Sequence, residues 1–182
     1  MKSTIGIDVA APAELVFRLA RDVERWPELL PHYASAHSQG PRGVDGRVVV
    51  RFVARRPLVP LLGLGLPVAW RAVTWSEAVA LRLRFVHRGG ATGGMDVTWR
   101  IADVGAGRCR VEIEHDFRPR VPGWAWLIDR AFTRPIAGRT LATFRAIAEA
   151  VGESVGESAA ESAAASTPTD QSDPTAATNP ST

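Results

Sequence analysis

Asp22-Val-Glu-Arg-Trp-Pro-Glu-Leu-Leu-Pro-His-Tyr33 is the stretch that decides how this chain folds. Pro27 and Pro31 stop any long helix here, because proline lacks a backbone N–H and clashes with the preceding turn. The spacing predicts a short helix or bent turn, with Asp22 capping it through its side-chain oxygen. It also sets two large amphipathic side chains, Trp26 and Tyr33, on either side of the prolines. Both are expected to point at the protein body, since aromatic side chains bury large areas.

Upstream, Thr4–Val9 alternates with Ile5, Ile7 and Val9 on one side and reads as a strand. Pro12 sits where a helix can begin, and Glu14 falls near its positive end. Leu15, Val16, Leu19 and Ala20 form the apolar face of that helix. Downstream the period changes to two. Ala34–Gln39 is a weak strand. Arg47–Arg55 puts Val48, Val50, Phe52 and Ala54 on one face. Val68–Glu77 does the same with Trp70, Ala72 and Thr74, and Ala80–Arg88 with Leu81, Leu83, Phe85 and His87. Met95–Ile101 presents Met95, Val97, Trp99 and Ile101. Arg108–Arg118 presents Cys109, Val111, Ile113, His115 and Phe117, opposite charged residues.

Pro122 then opens a long helix reaching about Val151, with an apolar stripe of Trp124, Leu127, Ile128, Ala131 and Phe132, continued by Leu141, Phe144 and Ile147. Pro135 is expected to kink it. Consecutive strands with short turns imply an antiparallel sheet with one wet face. The predicted class is α+β: a curved antiparallel sheet of about seven strands wrapped on a long C-terminal helix, with two short helices after the first strand. The space between sheet and helix becomes a core or a cavity, depending on side-chain volume.

Composition divides the 182 residues in two. Residues 152–182 contain no aromatic residue, no Leu and no Ile. Such a segment buries too little apolar surface to offset its ordering entropy, so a disordered tail is expected after a ligand-binding domain at 1–151. A second reading extends the helix through Glu153–Ala165, since Ala and Glu are good helix formers. All 22 Lys and Arg lie at or before Arg145 and 14 of the 19 acids lie before residue 152, so the body carries +8 and the tail −5. A basic body attracts anions, but the arginines are spread along the strands and no nucleic-acid motif accompanies them.

Cys109 is the only cysteine, which excludes an intramolecular disulfide. The N-terminus lacks the apolar core of a signal peptide, so a cytoplasmic protein is expected. Leu58–Trp70, the most apolar stretch, is about half the length needed to span a bilayer and is broken by Pro60 and Pro67. No nucleophile–base pair, cofactor fingerprint or metal spacing among His32, His37, His87 and His115 emerges, so no catalytic residue, metal or cofactor is assigned. Gly89–Gly94 lies between strands and reads as a hairpin, because a phosphate loop must feed a helix N-terminus.

The Ala-Pro-Ala-Glu start at 11–14, Trp-Pro-Glu-Leu at 26–29, Trp70 in its strand and the Asp129–Phe144 helix carry a resemblance. With this element order they resemble the START-like (SRPBCC) helix-grip superfamily, in the branch of polyketide cyclase/dehydrase and coenzyme Q-binding proteins. The resemblance spans about residues 3–150. It implies a cavity for an apolar small molecule such as a polyketide, quinone or lipid, held by a carrier or chaperone. A polyketide cyclase or aromatase-type enzyme is the alternative, and a protein-interaction module the third reading. The aromatase/cyclase branch usually carries a cavity arginine on the strand beginning near Trp70. Here the inward positions are Ala72 and Thr74, and Arg71 faces out.

The candidate ligand residues are Trp26, Tyr33, Phe52, Trp70, Thr74, Phe85, His87, Trp99 and His115. The competing reading is that the aromatics fill a core and the histidines are satisfied within it. Tyr33 is the best polar candidate, because its hydroxyl suits a ligand carbonyl or quinone oxygen. Arg55 and Arg56, with Leu61, Leu62 and Leu64, read either as a plain hairpin or as an apolar flap in peripheral contact with a membrane. The expected partner is thus an apolar small molecule, not nucleic acid, with peripheral membrane contact under the flap reading alone. No oligomeric state is specified.

Overall fold

The computed structural model describes residues 1–59, 64–119 and 121–165. β1 (Lys2–Val9) leads into α1 (Ala13–Arg21), a 3-10 turn (Val23–Arg25) and α2 (Trp26–Leu29). Six strands follow: β2 (Tyr33–Ser38), β3 (Val48–Val59), β4 (Leu64–Glu77), β5 (Arg82–Arg88), β6 (Asp96–Gly105) and β7 (Arg108–Asp116). The chain then forms α3 (Trp124–Ile128), a π-helical turn (Asp129–Thr133) and α4 (Arg134–Ala165). The seven strands make one antiparallel sheet in the order β1-β7-β6-β5-β4-β3-β2. α4 lies against β1, α1 and α2, so one face of the sheet grips it.

The period-two reading predicts that inner face well. Val48, Val50, Phe52, Ala54, Ala72, Leu83, Phe85, Val97, Trp99, Val111 and Ile113 are all buried. The exception to simple alternation is at the start of β2. Tyr33 pairs with Ala54 and Ser35 with Val53, so β2 carries one extra residue there. A bulge of this kind reverses the facing of what precedes it. Tyr33 and Ala36 are therefore both buried, although an odd number of positions separates them.

Four local expectations need correction. The buried face of α1 is Ala13, Val16, Phe17 and Ala20, with Leu15 and Leu19 only half-buried. Asp22 makes no capping bond. Glu24 instead accepts the Ser38 backbone N–H at 3.0 Å and ties the turn to β2. The expected stripe before Pro135 divides, with Ile128 buried but Leu127 44% exposed. The kink expected at Pro135 takes the form of the π turn just ahead of it, where the Arg134 N–H reaches back to the Asp129 carbonyl. A wider turn relieves the crowding between a proline ring and the carbonyl one turn back.

One of the two boundary segments also differs from expectation. The helix does not stop at Val151 but runs to Ala165, in keeping with its run of helix-forming Ala and Glu. In the segment read as either a plain hairpin or an apolar flap, the described residues on both sides are strand, ending β3 at Val59 and opening β4 at Leu64. Arg55 pairs with Pro67, Arg56 with Leu66 and Pro57 with Gly65. The register shifts between Pro57 and Val59, and bulges are where strands accept proline. Leu64 opens β4, while Leu61 and Leu62 lie outside the described residues. Among the described residues, no helix is long and apolar enough to cross a membrane.

Candidate functional site

α2 is short, and its one fully buried side chain, Trp26, is driven into the space between sheet and α4. The Trp26 indole N–H donates to the Ala20 carbonyl at 3.0 Å. Five rings surround it, with centroids at 5.2 Å for Tyr33, 5.3 Å for Trp99, 5.7 Å for Phe85, 5.8 Å for Phe52 and 6.0 Å for Phe144. These separations are the preferred range for aromatic pairs. They close one end of the interior.

A column of rings leads away from that floor. Phe52 on β3 stacks on Trp70 of β4 at 5.4 Å, and Trp70 stacks on His87 of β5 at 6.0 Å. Beside the column is a cavity of about 100 Å³ between the sheet and the start of α4. Eight of the nine sequence-predicted ligand residues line it: Trp26, Tyr33, Phe52, Trp70, Phe85, His87, Trp99 and His115. Thr74 does not. It is buried, but β4 carries it about 13 Å along the strand from Trp70, and its cross-strand neighbour Phe85 takes the wall instead.

The lining also includes residues that the sequence reading did not single out. Met95, Val97 and Ile113 come from the inward positions of β6 and β7 or just before them, so alternation carried their signal. Thr133, Ile136, Ala137 and Thr140 form one wall from the π turn and α4, at helical spacing. Thr92 comes from the glycine-rich connection, where nothing in the pattern marked it. That connection is tight. A Cβ added at Gly93 would meet the Gly89 backbone at 3.1 Å.

Three histidines give the interior its polarity. His87 Nδ1 hydrogen-bonds with the Thr92 hydroxyl at 2.9 Å, and His32 Nε2 with the Thr140 hydroxyl at 2.9 Å. His115 faces Ser3 across the β1–β7 ladder. The Ser3 hydroxyl donates to Asp129 Oδ1 at 2.8 Å, and the Arg134 Nε–H donates to Asp129 Oδ2 at 2.6 Å. This bond set locks the π turn to β1. His115 Nδ1, however, is buried with no hydrogen-bond partner among the described residues.

Burial holds all three imidazoles neutral. It pushes His115 down to about 4, with Asp129 opposing and Arg134 adding to the fall. His87 falls to about 4 through burial and the nearby His115. His32 falls to about 4 through burial and the Arg139 charge. Burial likewise raises the Tyr33 phenol, partly offset by Thr140. At neutral pH the cavity therefore presents uncharged hydrogen-bonding groups on an apolar wall. Its arrangement suits an apolar molecule bearing an oxygen. No charged side chain stands among the lining residues, since Arg71 is exposed and Ala72 is fully buried at the inward position.

Solved structures share this architecture. A di-domain aromatase/cyclase, BexL from the BE-7585A biosynthetic pathway, is 25% identical with a TM-score of 0.63, over 80% of this chain and 45% of that one. The chain thus spans less than half of that protein. The Zhui aromatase/cyclase from Streptomyces sp. R1128 is 20% identical with a TM-score of 0.67, over 82% of this chain and 93% of that one. A START superfamily protein from Mycobacterium smegmatis is 18% identical with a TM-score of 0.57, over 85% of this chain and 98% of that one. These likenesses establish the helix-grip fold. No curated protein matches the sequence. Residues 1–149, the whole of the sheet and the first half of the gripped helix, match the family of polyketide cyclase/dehydrase and lipid transport proteins, to which this chain belongs.

Proposed function

We propose that this protein binds one apolar, oxygen-bearing small molecule of the polyketide, quinone or lipid class and carries or shields it. The observation behind the reading is the cavity itself, with aromatic walls and a buried imidazole nitrogen that has no partner. A buried polar atom left unpaired costs about 1–3 kcal/mol, a cost that a ligand hydroxyl or carbonyl would remove. The volume sets the scale. An apolar cavity of about 150 Å³ holds a molecule the size of benzene. The roughly 100 Å³ present here is smaller than that, so even a single ring requires Trp70, only half-buried, to swing aside.

A polyketide cyclase is the second reading. It is favoured by two neutral imidazoles lining the cavity, which suit proton transfer to or from a bound ligand. Against it stands the apolar Ala72 in the inward position after Trp70.

Titration with a short-chain ubiquinone or naphthoquinone tests the binding reading. Tryptophan emission should be quenched saturably, and the protein should melt at a higher temperature. Trp70→Ala should weaken the quenching at least about tenfold while the circular dichroism spectrum persists. Saturating ligand with neither quenching nor thermal stabilisation would show that the interior is a closed core. Turnover of an aromatic polyketide mimic, abolished in His115→Leu, would put the cyclase ahead of the carrier.

A further inference from the structure

We propose that α3 and the arginines around it dock on an anionic lipid bilayer, at the rim through which the cavity opens. Trp126, Leu127 and Val121 are exposed at 66%, 44% and 61%. Large apolar side chains in sequence proximity on a water-facing surface call for a partner. Here the surroundings point to one of definite chemistry. From Phe117 to Ala148 the chain carries six arginines and one acid, Asp129. That acid is buried and already engaged by Ser3 and Arg134. Arg130, Arg134 and Arg139 are exposed in the same region, as is Arg118, which pairs with Asp116. Exposed tryptophan and leucine fringed by arginine match the headgroup boundary of an anionic membrane, where the indole sits at the interface and guanidinium groups meet phosphates.

The position of the patch gives it a role. The Trp124 indole N–H donates to the Ala91 carbonyl at 3.0 Å, which fastens α3 to the connection between β5 and β6. The next residue, Thr92, lines the cavity and holds His87. Exposed Arg88 enters the same connection, and Gly89, Gly90 and Gly94 in it have positive φ. Thr133 and Ile136, just beyond α3, form another part of the cavity wall. The patch and the cavity thus share a rim, and a bilayer seated on α3 lies where an apolar ligand would enter. This patch is built from residues after β7 and draws on none of Arg55, Arg56, Leu61, Leu62 and Leu64. Docking stands on its own observations, and only ligand transfer across the rim rests on the binding function proposed above.

The test is partition of the full chain between buffer and sedimented vesicles of phosphatidylcholine, with or without phosphatidylglycerol. The wild type should bind the anionic vesicles and ignore the neutral ones, and added salt should weaken the binding. Trp126→Ser with Leu127→Ser, and separately Arg130→Glu, should each weaken partitioning at least about tenfold. Neither change touches the cavity lining, so quinone binding from buffer should persist. Brominated lipid should quench part of the tryptophan emission, and Trp126→Phe should remove that part. If the wild type ignores anionic vesicles, or both variants partition as it does, the docking surface is refuted. Loss of a stoichiometric acidic protein partner in these variants, with vesicles ignored throughout, would also refute it and assign the patch to protein. Vesicle binding without any quinone binding would leave docking intact and remove the cavity function instead.

Discussion

The two ends of the interior are built from one sequence pattern and behave differently. Around Trp26, inward residues from β2, β3, β5, β6 and α4 bring five rings against its indole, and the Trp26 N–H is satisfied. Around His87 and His115, the same inward alternation leaves space, a half-buried Trp70 and an unpaired imidazole nitrogen. The difference lies in which residues fill the slots. Rings as large as indole close the first end. In the second, part of the wall is made by small residues, Thr92, Thr133 and Ala137. Periodicity chooses the face, and volume then decides between core and cavity.

The largest effect should come from breaking the packed end. Trp26→Ala removes the central ring and leaves a void against five neighbours, at a cost of about 3–5 kcal/mol. For a chain of this size the melting temperature should fall by roughly 10 °C or more. Trp70→Ala, at the open end, should cost less than half as much, because its ring is partly exposed and borders existing space. Equal losses in urea unfolding would mean that both ends are packed alike and that the contrast is wrong.

Acid sharpens the contrast from the open end. His32, His87 and His115 titrate at about 4 in the folded protein against about 6.5 when unfolded. Between those values the unfolded chain binds more protons, so stability rises with pH there. The contribution is complete above about pH 6.5 and is lost as pH falls towards 4. For His115 the full swing is on the order of 3 kcal/mol. His115→Leu should leave stability at neutral pH unchanged or slightly raised, because the lost nitrogen had no partner. It should also flatten the pH profile. Urea midpoints measured at neutral pH and near pH 4.5 check both statements. A variant as acid-sensitive as the wild type would show that His115 is not held neutral.

Most of this contrast was legible as pattern and only part of it as geometry. The inward sets of β3 through β7 follow from strict alternation and supply six of the eight ligand candidates that fell on the cavity, with Trp26 coming from α2 and Tyr33 from β2. The ninth, Thr74, shares their face, but alternation carries no information about position along a strand. Tyr33 reached the cavity through a bulge that a period-two reading cannot place. Pro135 announced a distortion, but not that a π turn would set Thr133 in the wall and leave Trp126 and Leu127 in water. The β3–β4 connection reads as either a plain hairpin or a flap, and the register shift that accommodates Pro57 depends on the partner strand, which the sequence of one strand does not specify.

The smallest effect should come from the chain's far end, which neither half of the interior uses. Glu149 still belongs to the body, since it accepts the Ala10 backbone N–H at 3.0 Å and lies near Arg145. Gly152 remains close to it, where an added Cβ would lie 3.6 Å from the Ala11 side chain. Beyond that point Glu153 and Ser154 are exposed. The helical turns that follow are rich in Ala, Ser and Glu, with one valine, Val155, and no aromatic residue. Helix without an apolar face gains little from the body and frays at modest cost. Residues 152–182 are therefore proposed to be dispensable for folding. A chain ending at Gly152 should unfold within about 0.5 kcal/mol of the full-length protein, as surface changes do. Ending it at Ala148 should cost more, because the Ala10 N–H then loses its carboxylate. A loss of several degrees on cutting at Gly152 would place part of the tail against the body. Quinone titration of the shortened chain would then report which of the two interior ends the tail supports.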